Sequence, residues 1–302
     1  MSIVNMGQIL RSAEENKYAV GYFESFNMES TQAVIDAAEK AKSPVIIGYS
    51  GVFTNSPKRE IRENIYHYGA MAYSMAQNAS IPVSIILNEA DDMSMLIQSI
   101  NAGFNVVMYQ KLGDNFEDMI RINKYLVRTA HYLKADVECE VGELPEAHVS
   151  DGSTSGGINT DPEKAKYFVE QTGIDALAIA IGNVHLLEGE KSRLDFDLLK
   201  RIRRAVSVPL VLHGGTGIDD EEAKEAIALG VTKFNIGTVL KRSYLKVYQN
   251  FCCNKNISKI NPHELIGLGG TDDVMCSARK AIAEDVYHYI RLYGSENKAH
   301  LV

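Results

Sequence analysis

The sequence predicts a (β/α)8 barrel, in which parallel strands and helices alternate eight times. Short β-branched runs recur between longer helical patterns, and these runs are nearly continuous in apolar residues, as expected of strands buried on both faces. Eight such units in 302 residues close most simply into one barrel. An open doubly wound sheet is the alternative, but no GxGxxG motif follows the first strand.

The elements follow one another with little intervening chain. The strands are predicted at 18–23, 44–49, 82–87, 105–110, 136–141, 176–181, 209–214 and 233–238. The helices between them are predicted at 31–41, 59–79, 93–103, 116–133, 163–173, 195–206 and 221–230. We expect an extra helix at 6–15 to cap the bottom of the barrel and a C-terminal helix at 276–292. Residues 1–302 are expected to form a single domain.

Composition excludes several classes of function. The chain has 31 Lys and Arg against 39 Asp and Glu, a net charge of −8, so it offers no basic stripe for nucleic acid. The N-terminal segment lacks the apolar core of a signal peptide, and no stretch approaches the length of a membrane span. The four cysteines of the chain show neither a CxxC motif nor the spacing of a disulfide framework. We therefore expect a cytoplasmic protein.

Polar residues accumulate where the predicted strands end. Active sites of such barrels lie at the C-terminal ends of the strands, and an inert scaffold would not need polar side chains there. The acidic stretch at 88–92 could serve only as a helix N-terminus, but its place after the third strand assigns it to this rim. The strand ends carry Glu24, Ser50, Asn88, Glu89, Gln110, Glu140, Glu143, Asn183, His185, His213 and Asn235.

Two histidines directly follow buried strands. His185 comes after the sixth strand and His213 after the seventh, and Glu89 and Glu140 could face them. Two imidazoles and a carboxylate around an open position form a known catalytic zinc arrangement, which can act as a Lewis acid on a carbonyl. A hydrogen-bonded network of His and Glu without a metal is the alternative reading.

Glycine-rich turns end the last two strands. HGGTG (213–217) and NIGT (235–238) each lead into a helix N-terminus, where backbone amides bind phosphate. Glycine favours this because a Cβ would hold the anion away. HGGTG alone could be an ordinary tight turn, whereas the pair of motifs is more specific for a phosphate site.

A long polar segment, 142–162, follows the fifth strand. Its length and glycine content suit either a mobile lid or a tolerated surface loop. It carries Glu143, Glu146 and His148, any of which could supply acid–base chemistry when a lid closes.

Several stretches resemble the class II, zinc-dependent ketose-bisphosphate aldolases, especially the tagatose- and fructose-bisphosphate type. The resemblance runs through nearly the whole chain in order. It rests on YAVGYFESFNMESTQAVIDAAE, SPVIIG, VECEVGEL, IAIGNVH, PLVLHGGTGI and KFNIGT.

The resemblance implies roles for particular residues. His185 and His213 would bind one divalent metal ion, most simply Zn. The phosphate of the substrate would be held by Gly214, Gly215, Thr216, Gly217, Asn235, Gly237 and Thr238. The family further implies a homo-oligomer, either a dimer or a tetramer.

The sequence departs from the family at reactive positions. The family carries His-x-Asp-His at the end of strand three, where Asp transfers a proton and the second His binds zinc. Asn88 and Glu89 stand at those two places. Asn88 cannot transfer a proton as the acid does, whereas Glu89 can bind a metal. Glu24 or His148 is expected to replace the missing acid, with Glu140 close behind the metal ligands, so the changes indicate a re-tasked site rather than decay.

These observations favour a metal-dependent aldolase-type lyase that acts on a phosphorylated ketose or a related sugar phosphate through an enediolate. The metal ligands are predicted to be Glu89, His185 and His213. A sugar-phosphate isomerase or epimerase would use the same chemistry without cleaving a carbon–carbon bond. A non-catalytic sugar-phosphate binder is the third hypothesis.

Overall fold

A closed barrel of eight parallel strands forms the centre of the molecule. The computed structural model describes residues 2–111, 113–147, 154–155, 157–184 and 191–302. The barrel order is β1-β10-β9-β8-β5-β4-β3-β2, and a short antiparallel hairpin, β6–β7, lies outside it. The strands are β1 Val20–Glu24, β2 Val45–Ser50, β3 Val83–Ala90, β4 Val106–Tyr109, β5 Asp136–Val141, β6 Glu146–Ala147, β7 Thr154–Ser155, β8 Ala176–Ile179, β9 Leu210–Leu212 and β10 Val231–Ile236. The predicted barrel is confirmed, and its closure excludes the open sheet.

The helices surround the barrel. They are α1 Met6–Glu15, α2 Met28–Ala41, α3 Gly51–Thr54, α4 Ile65–Asn78, α5 Met93–Asn101, α6 Phe116–Tyr132, α7 Pro162–Thr172, α8 Phe196–Ala205, α9 Asp220–Ala228, α10 Thr238–Asn254, α11 Pro262–Leu265 and α12 Val274–Leu292. None of the described helices is both long and apolar enough to cross a membrane.

Two helical predictions need correction. The helix expected at 59–79 begins only at Ile65, because the side chain of Asn64 accepts a hydrogen bond from the Tyr66 amide and caps the helix there. The 17-residue helix α10 directly follows the NIGT turn and was absent from the predicted set. Its first residue is the last residue of the predicted eighth strand, so the apolar pattern continues without a break from the strand into the helix.

Apolar side chains form two separate clusters. The larger fills the space between the strands and the outer helices. The smaller lies inside the barrel, where alternate strand residues such as Tyr22, Ile46 and Ile86 contact Met6, Ile9 and Leu10 of α1. This confirms that the first helix closes the bottom of the barrel. The organisation of residues 1–302 as one domain stays a prediction.

Candidate active site

Polar side chains line the inner rim at the C-terminal ends of the strands. Each follows, two or four residues later on the same strand, a residue of the smaller apolar cluster inside the barrel. Because side chains alternate along a β-strand, these polar side chains also point inward. These residues are Glu24, Ser50, Asn88, Gln110 and His213. These five residues of the predicted rim therefore face the mouth of the barrel.

His213 is the fully buried centre of this rim. Its Nε2 lies 3.1 Å from Glu138 Oε1, and its Nδ1 lies 3.1 Å from Glu89 Oε1 and 3.8 Å from Glu140 Oε2. Glu140 also accepts a hydrogen bond of 3.1 Å from Gln110 Nε2. Two predicted site residues, Glu89 and Glu140, thus meet the same ring nitrogen.

Glu89 reaches the inside through a local break in β3. Strand alternation would turn it outward, because its neighbour Asn88 faces in. The backbone of Glu89 has a φ of 55°, in the left-handed region, and the pairing of β3 with β4 shifts between Leu87 and Ala90. Such irregularities re-aim side chains and store strain at functional sites. Both residues at the two altered family positions consequently face the mouth.

A buried ion pair lies beneath His213. Lys233 Nζ is 2.8 Å from Glu138 Oε2, and both side chains are fully buried. Lys233 also donates a 2.6 Å hydrogen bond to Asn235 Oδ1. The bond from Glu138 to Nε2 fixes the orientation of the imidazole, as carboxylates do for metal-binding histidines. Sequence reasoning missed both residues, although VECEV places Glu138 and Glu140 on one face and KFN does the same for Lys233 and Asn235.

The charges around His213 do not balance. Glu89, Glu138 and Glu140 bring three carboxylates against the ammonium group of Lys233 and the imidazole of His213 itself. Burial would lower the pKa of His213, but its hydrogen bonds to Glu138 and Glu89 raise that pKa to about 10. Burial raises the pKa of Glu140 to about 7, with Glu89 and Glu138 contributing. The carboxylates thus favour a positive charge at His213, and a bound cation would supply further positive charge there.

The donors suit a divalent ion. Two ligands of a tetrahedral zinc ion, each about 2.0–2.1 Å from it, are roughly 3.3 Å apart, close to the 3.1 Å between Glu89 Oε1 and His213 Nδ1. The described part of the chain contains no group of three His, Cys, Asp or Glu side chains with metal-site spacing. The third predicted ligand, His185, lies outside the described residues. The chain thus presents two of the predicted donors together.

The glycine turn after β9 has several constraints. Gly214 has a φ of 67°, which favours glycine. A Cβ on Gly215 would stand 2.6 Å from the side chain of Ile236, so close packing against β10 also requires glycine there. Lys191 donates to the carbonyl oxygens of Thr216 and Ile218, at 3.5 Å and 3.2 Å. A cation that sequence reasoning missed therefore lies against the predicted phosphate turn.

The second turn leads into α10. Its N-cap, Gly237, offers no side-chain hydrogen bond to the helix, whereas an Asp or Asn side chain caps α2, α9 and α12. The first amides of α10 therefore keep their capacity to bind an anion. Gly237 and Thr238 are suitably placed for the predicted phosphate site. Asn235 lies deeper, where its Oδ1 accepts a hydrogen bond from Lys233. All seven phosphate-binding assignments stay predictions.

The four catalytic candidates have different surroundings. Glu140 lies beside His213, whereas Glu24 forms a 2.7 Å ion pair with Lys241 of α10. Asn88 is buried, and its Oδ1 receives no hydrogen bond from any described residue. His148 lies outside the described residues, as does much of the predicted lid. Asn183, which follows β8, has a structural role, because its side-chain amide donates hydrogen bonds to the carbonyl oxygens of Ile179 and His213.

Comparison with known proteins agrees with this arrangement. The family described as fructose-bisphosphate aldolase class-II matches residues 4–298. The chain belongs to the class-II fructose-bisphosphate aldolase family. Enzymes of that family generally depend on a divalent metal ion. As a member of the family, this class-II aldolase is a carbon–carbon lyase that acts on sugar phosphates.

The similarity of this class-II aldolase to its relatives extends over nearly the whole chain. It is 36% identical over 287 residues to the protein YdjI of Escherichia coli (strain K12), which covers 95% of this chain and 96% of that protein. It is 34% identical over 308 residues to the fructose-bisphosphate aldolase of Geobacillus stearothermophilus, covering 99% of both. The crystal structure of the YdjI aldolase from Escherichia coli K12 matches with a TM-score of 0.79 and 34% identity, covering 98% of this chain and 99% of that one.

Proposed function

We propose that this class-II aldolase cleaves a phosphorylated ketose or sugar-acid phosphate other than the common ketose bisphosphates. The observation that carries the proposal is the contact of Glu89 with His213 Nδ1 at 3.1 Å, where the resemblance implies a histidine. A functional side chain has been exchanged for another one, and it is turned inward by a strained backbone. Decay of an unused site would not maintain such strain.

Glu89, His185 and His213 would hold one divalent ion, which we propose to be Zn because the donors are imidazole and carboxylate. When bound, the ion polarises the ketone of the substrate. Glu138 and Lys233 keep the imidazole of His213 oriented through the bond to Nε2. Its Nδ1 is thereby directed towards Glu89 and the mouth of the barrel.

Proton transfer in this site needs a group other than Asn88, whose amide neither gives nor takes a proton. We assign this role to Glu140, since its carboxylate lies within 3.8 Å of His213 Nδ1 and is held by Gln110. His148 is a further candidate that would approach from the segment above strand five. The phosphate would bind at the two glycine turns, with Lys191 and the first amides of α10 supplying positive charge.

The proposal also covers the cellular location and the oligomeric state of the enzyme. All four cysteines are free thiols, which supports a reducing cytoplasm. We also propose a homo-oligomer, on the resemblance to the family alone. The isomerase or epimerase hypothesis and the non-catalytic hypothesis are not favoured, because family and relatives are aldolases.

The test is a cleavage assay with the metal-loaded enzyme on ketose 1-phosphates, sugar-acid phosphates, and fructose and tagatose bisphosphates. We expect aldehyde and dihydroxyacetone phosphate to accumulate from a compound in the first two groups. The value of kcat/KM on the bisphosphates should be lower by about a hundredfold, the lower range of what general acid–base help contributes. Formation of an isomeric sugar phosphate without aldehyde, or efficient cleavage of a bisphosphate, would contradict the proposal.

A further inference from the structure

Tyr22 is a buried polar residue to which the proposed function gives no role. It lies on β1, two residues before Glu24 on the inner face of the barrel, and its side chain is 2% exposed. Its hydroxyl has no hydrogen-bond partner among the described residues. Because a buried tyrosine hydroxyl normally has such a partner, this one remains able to donate to a group that turns towards it.

The two neighbouring strands limit the groups that the hydroxyl of Tyr22 can reach. On one side, Lys233 of β10 lies with its ammonium group 5.2 Å from the centroid of the Tyr22 ring, and that ammonium group is paired with Glu138. On the other side, Tyr22 pairs in register with Ile46 of β2. The next residue of β2 on the inner face is Gly48, so β2 places no side chain between Tyr22 and the end of β3.

The hydroxyl of Tyr22 lies within electrostatic reach of three carboxylates at the mouth. Burial raises the pKa of Tyr22 well above its ordinary value, and the charges of Glu24, Glu89 and Glu138 raise that pKa further. The hydroxyl therefore keeps its proton and can donate it to a carboxylate in a hydrogen bond. Glu24 and Glu138 already pair with lysines, whereas Glu89 contacts the imidazole of His213.

Glu89 needs a group that fixes its carboxylate if it binds a metal ion. Carboxylates that bind metals are themselves hydrogen-bonded, and loss of such a partner typically weakens metal binding by about tenfold to a hundredfold. Glu89 turns inward only through its left-handed backbone, with a φ of 55°, so the regular strand does not hold its side chain in place. A carboxylate has two oxygens, and Glu89 can therefore bind an ion and accept a hydrogen bond from a hydroxyl at the same time.

We propose that Tyr22 is a positioning residue of the metal site, whose hydroxyl donates a hydrogen bond to the carboxylate of Glu89 when Glu89 binds the ion. This inference rests on the proposed function, because it takes Glu89 as a metal ligand. Tyr22 acts on a side chain of the protein rather than on the substrate, since it lies one inward position deeper in the barrel than Glu24.

The test is the affinity for Zn²⁺ alone, measured by competition with a chromophoric chelator at fixed pH. Tyr22→Phe should weaken Zn²⁺ binding by about tenfold or more. Tyr18→Phe is the matched control, because Tyr18 is equally buried near the bottom of the barrel and its hydroxyl lies 3.0 Å from Ser12 Oγ. Its Zn²⁺ affinity should stay within about twofold of the wild type. Equal affinities in the two variants would overturn the inference.

A double-variant cycle separates an effect on Glu89 from an effect on any other group. In a Glu89→His background, the added Tyr22→Phe should change the Zn²⁺ affinity by less than about twofold, because a metal-bound imidazole presents an N–H group instead of a second acceptor oxygen. A loss as large as in the wild-type background would show that the hydroxyl serves another group, such as the buried Asn88. That result would overturn the inference.

Unfolding of the metal-free protein by urea gives a further readout. Tyr22→Phe should leave the midpoint unchanged or raise it, since the hydroxyl that it removes has no partner there, whereas Tyr18→Phe should lower it. A lower midpoint for Tyr22→Phe together with unchanged Zn²⁺ affinity would mean a purely structural role and would overturn the inference.

Glu89→Gln distinguishes failure of this inference from failure of the proposed function. If Glu89→Gln bound Zn²⁺ as tightly as the wild type, the proposed ligand set and the role of Tyr22 would both be overturned. If Glu89→Gln lost affinity and Tyr22→Phe did not, only the role of Tyr22 would be overturned. The Zn²⁺ titrations involve no substrate, so a failed cleavage assay would contradict the proposed function without changing their result.

Discussion

The two ends of the barrel are built on different principles. At the bottom, Met6, Ile9 and Leu10 of α1 are fully buried among apolar strand residues. Asp136, a buried acidic group at this end, accepts hydrogen bonds from the Gly7 amide and from Asn5. At the top, three carboxylates surround His213, and Ser50 Oγ and Asn88 Oδ1 have no hydrogen-bond partner among the described residues. The bottom stabilises the fold, whereas the top gives up stability to hold charges that a metal and a substrate would use.

The difference is also visible in the backbone. Glu89 takes a positive φ at the top, where the pairing of β3 and β4 is interrupted. Strain of this kind persists only when the surrounding structure imposes it. Substitutions at the two ends should therefore have different effects. Those at the top should alter the catalysed reaction, and those at the bottom should alter the stability of the fold.

The largest effect is expected from His213→Ala. Losing one of three ligands should abolish stoichiometric metal binding, and cleavage should fall by about a thousandfold, equivalent to several kcal/mol of Lewis-acid stabilisation. Metal content after dialysis and kcat/KM are the measurements. The control is His131→Ala, whose exposed imidazole pairs with Asp175 on the outer surface. A His213 variant that keeps one metal per chain would refute the ligand set.

The next largest effect concerns the altered pair at the end of β3. Asn88→Asp combined with Glu89→His restores the residues of the family. Cleavage of fructose or tagatose bisphosphate should rise by about a hundredfold, because acid–base help returns and one negative charge leaves the metal. The activity on the enzyme's own substrate should fall. Both activities are measured in the wild type, the two single variants and the double variant; full retention of the native activity would argue against a re-tasked site.

A smaller effect is expected at the phosphate turn. Gly215 is a poor test, since any side chain there collides with Ile236. Thr238→Val keeps the volume and removes one hydroxyl at the start of α10, so the affinity for a phosphorylated ligand should fall by about tenfold or less. Thr129→Val, at an exposed hydroxyl that bonds to Tyr125 O, controls for the substitution itself. Equal affinity in the two variants would remove Thr238 from the site.

The smallest effect on chemistry should come from the bottom of the barrel. Ile9→Ala removes a fully buried side chain from α1 and should lower the free energy of unfolding by about 2–5 kcal/mol. The value of kcat/KM at a temperature where the variant is folded should stay within about twofold, because additivity holds for distant sites. Denaturant unfolding and steady-state assays test both parts. A large loss of kcat/KM would show that the two ends are coupled.

Local pattern was sufficient for most of the fold. The eight barrel strands, the capping helix at 6–15 and the rim of polar strand ends follow from apolar runs and their alternation, which are properties of short segments. The helix α10 escaped prediction because its first residues continue an apolar strand pattern. The start of α4 depended on one side-chain cap, at Asn64.

Pattern also indicated part of the site, since His213, Glu89 and Glu140 stand at the ends of predicted strands. Strand ends read from the sequence identify the residue types at the mouth, but not which of those side chains contact one another. Only the tertiary structure joined Glu138 to His213 and Lys233, which are 75 and 95 residues away, and Glu24 to Lys241, 217 residues away. The physical reason is that these contacts arise when the barrel closes and brings strand ends together, and that the inward turn of Glu89 depends on a backbone angle that no local periodicity encodes.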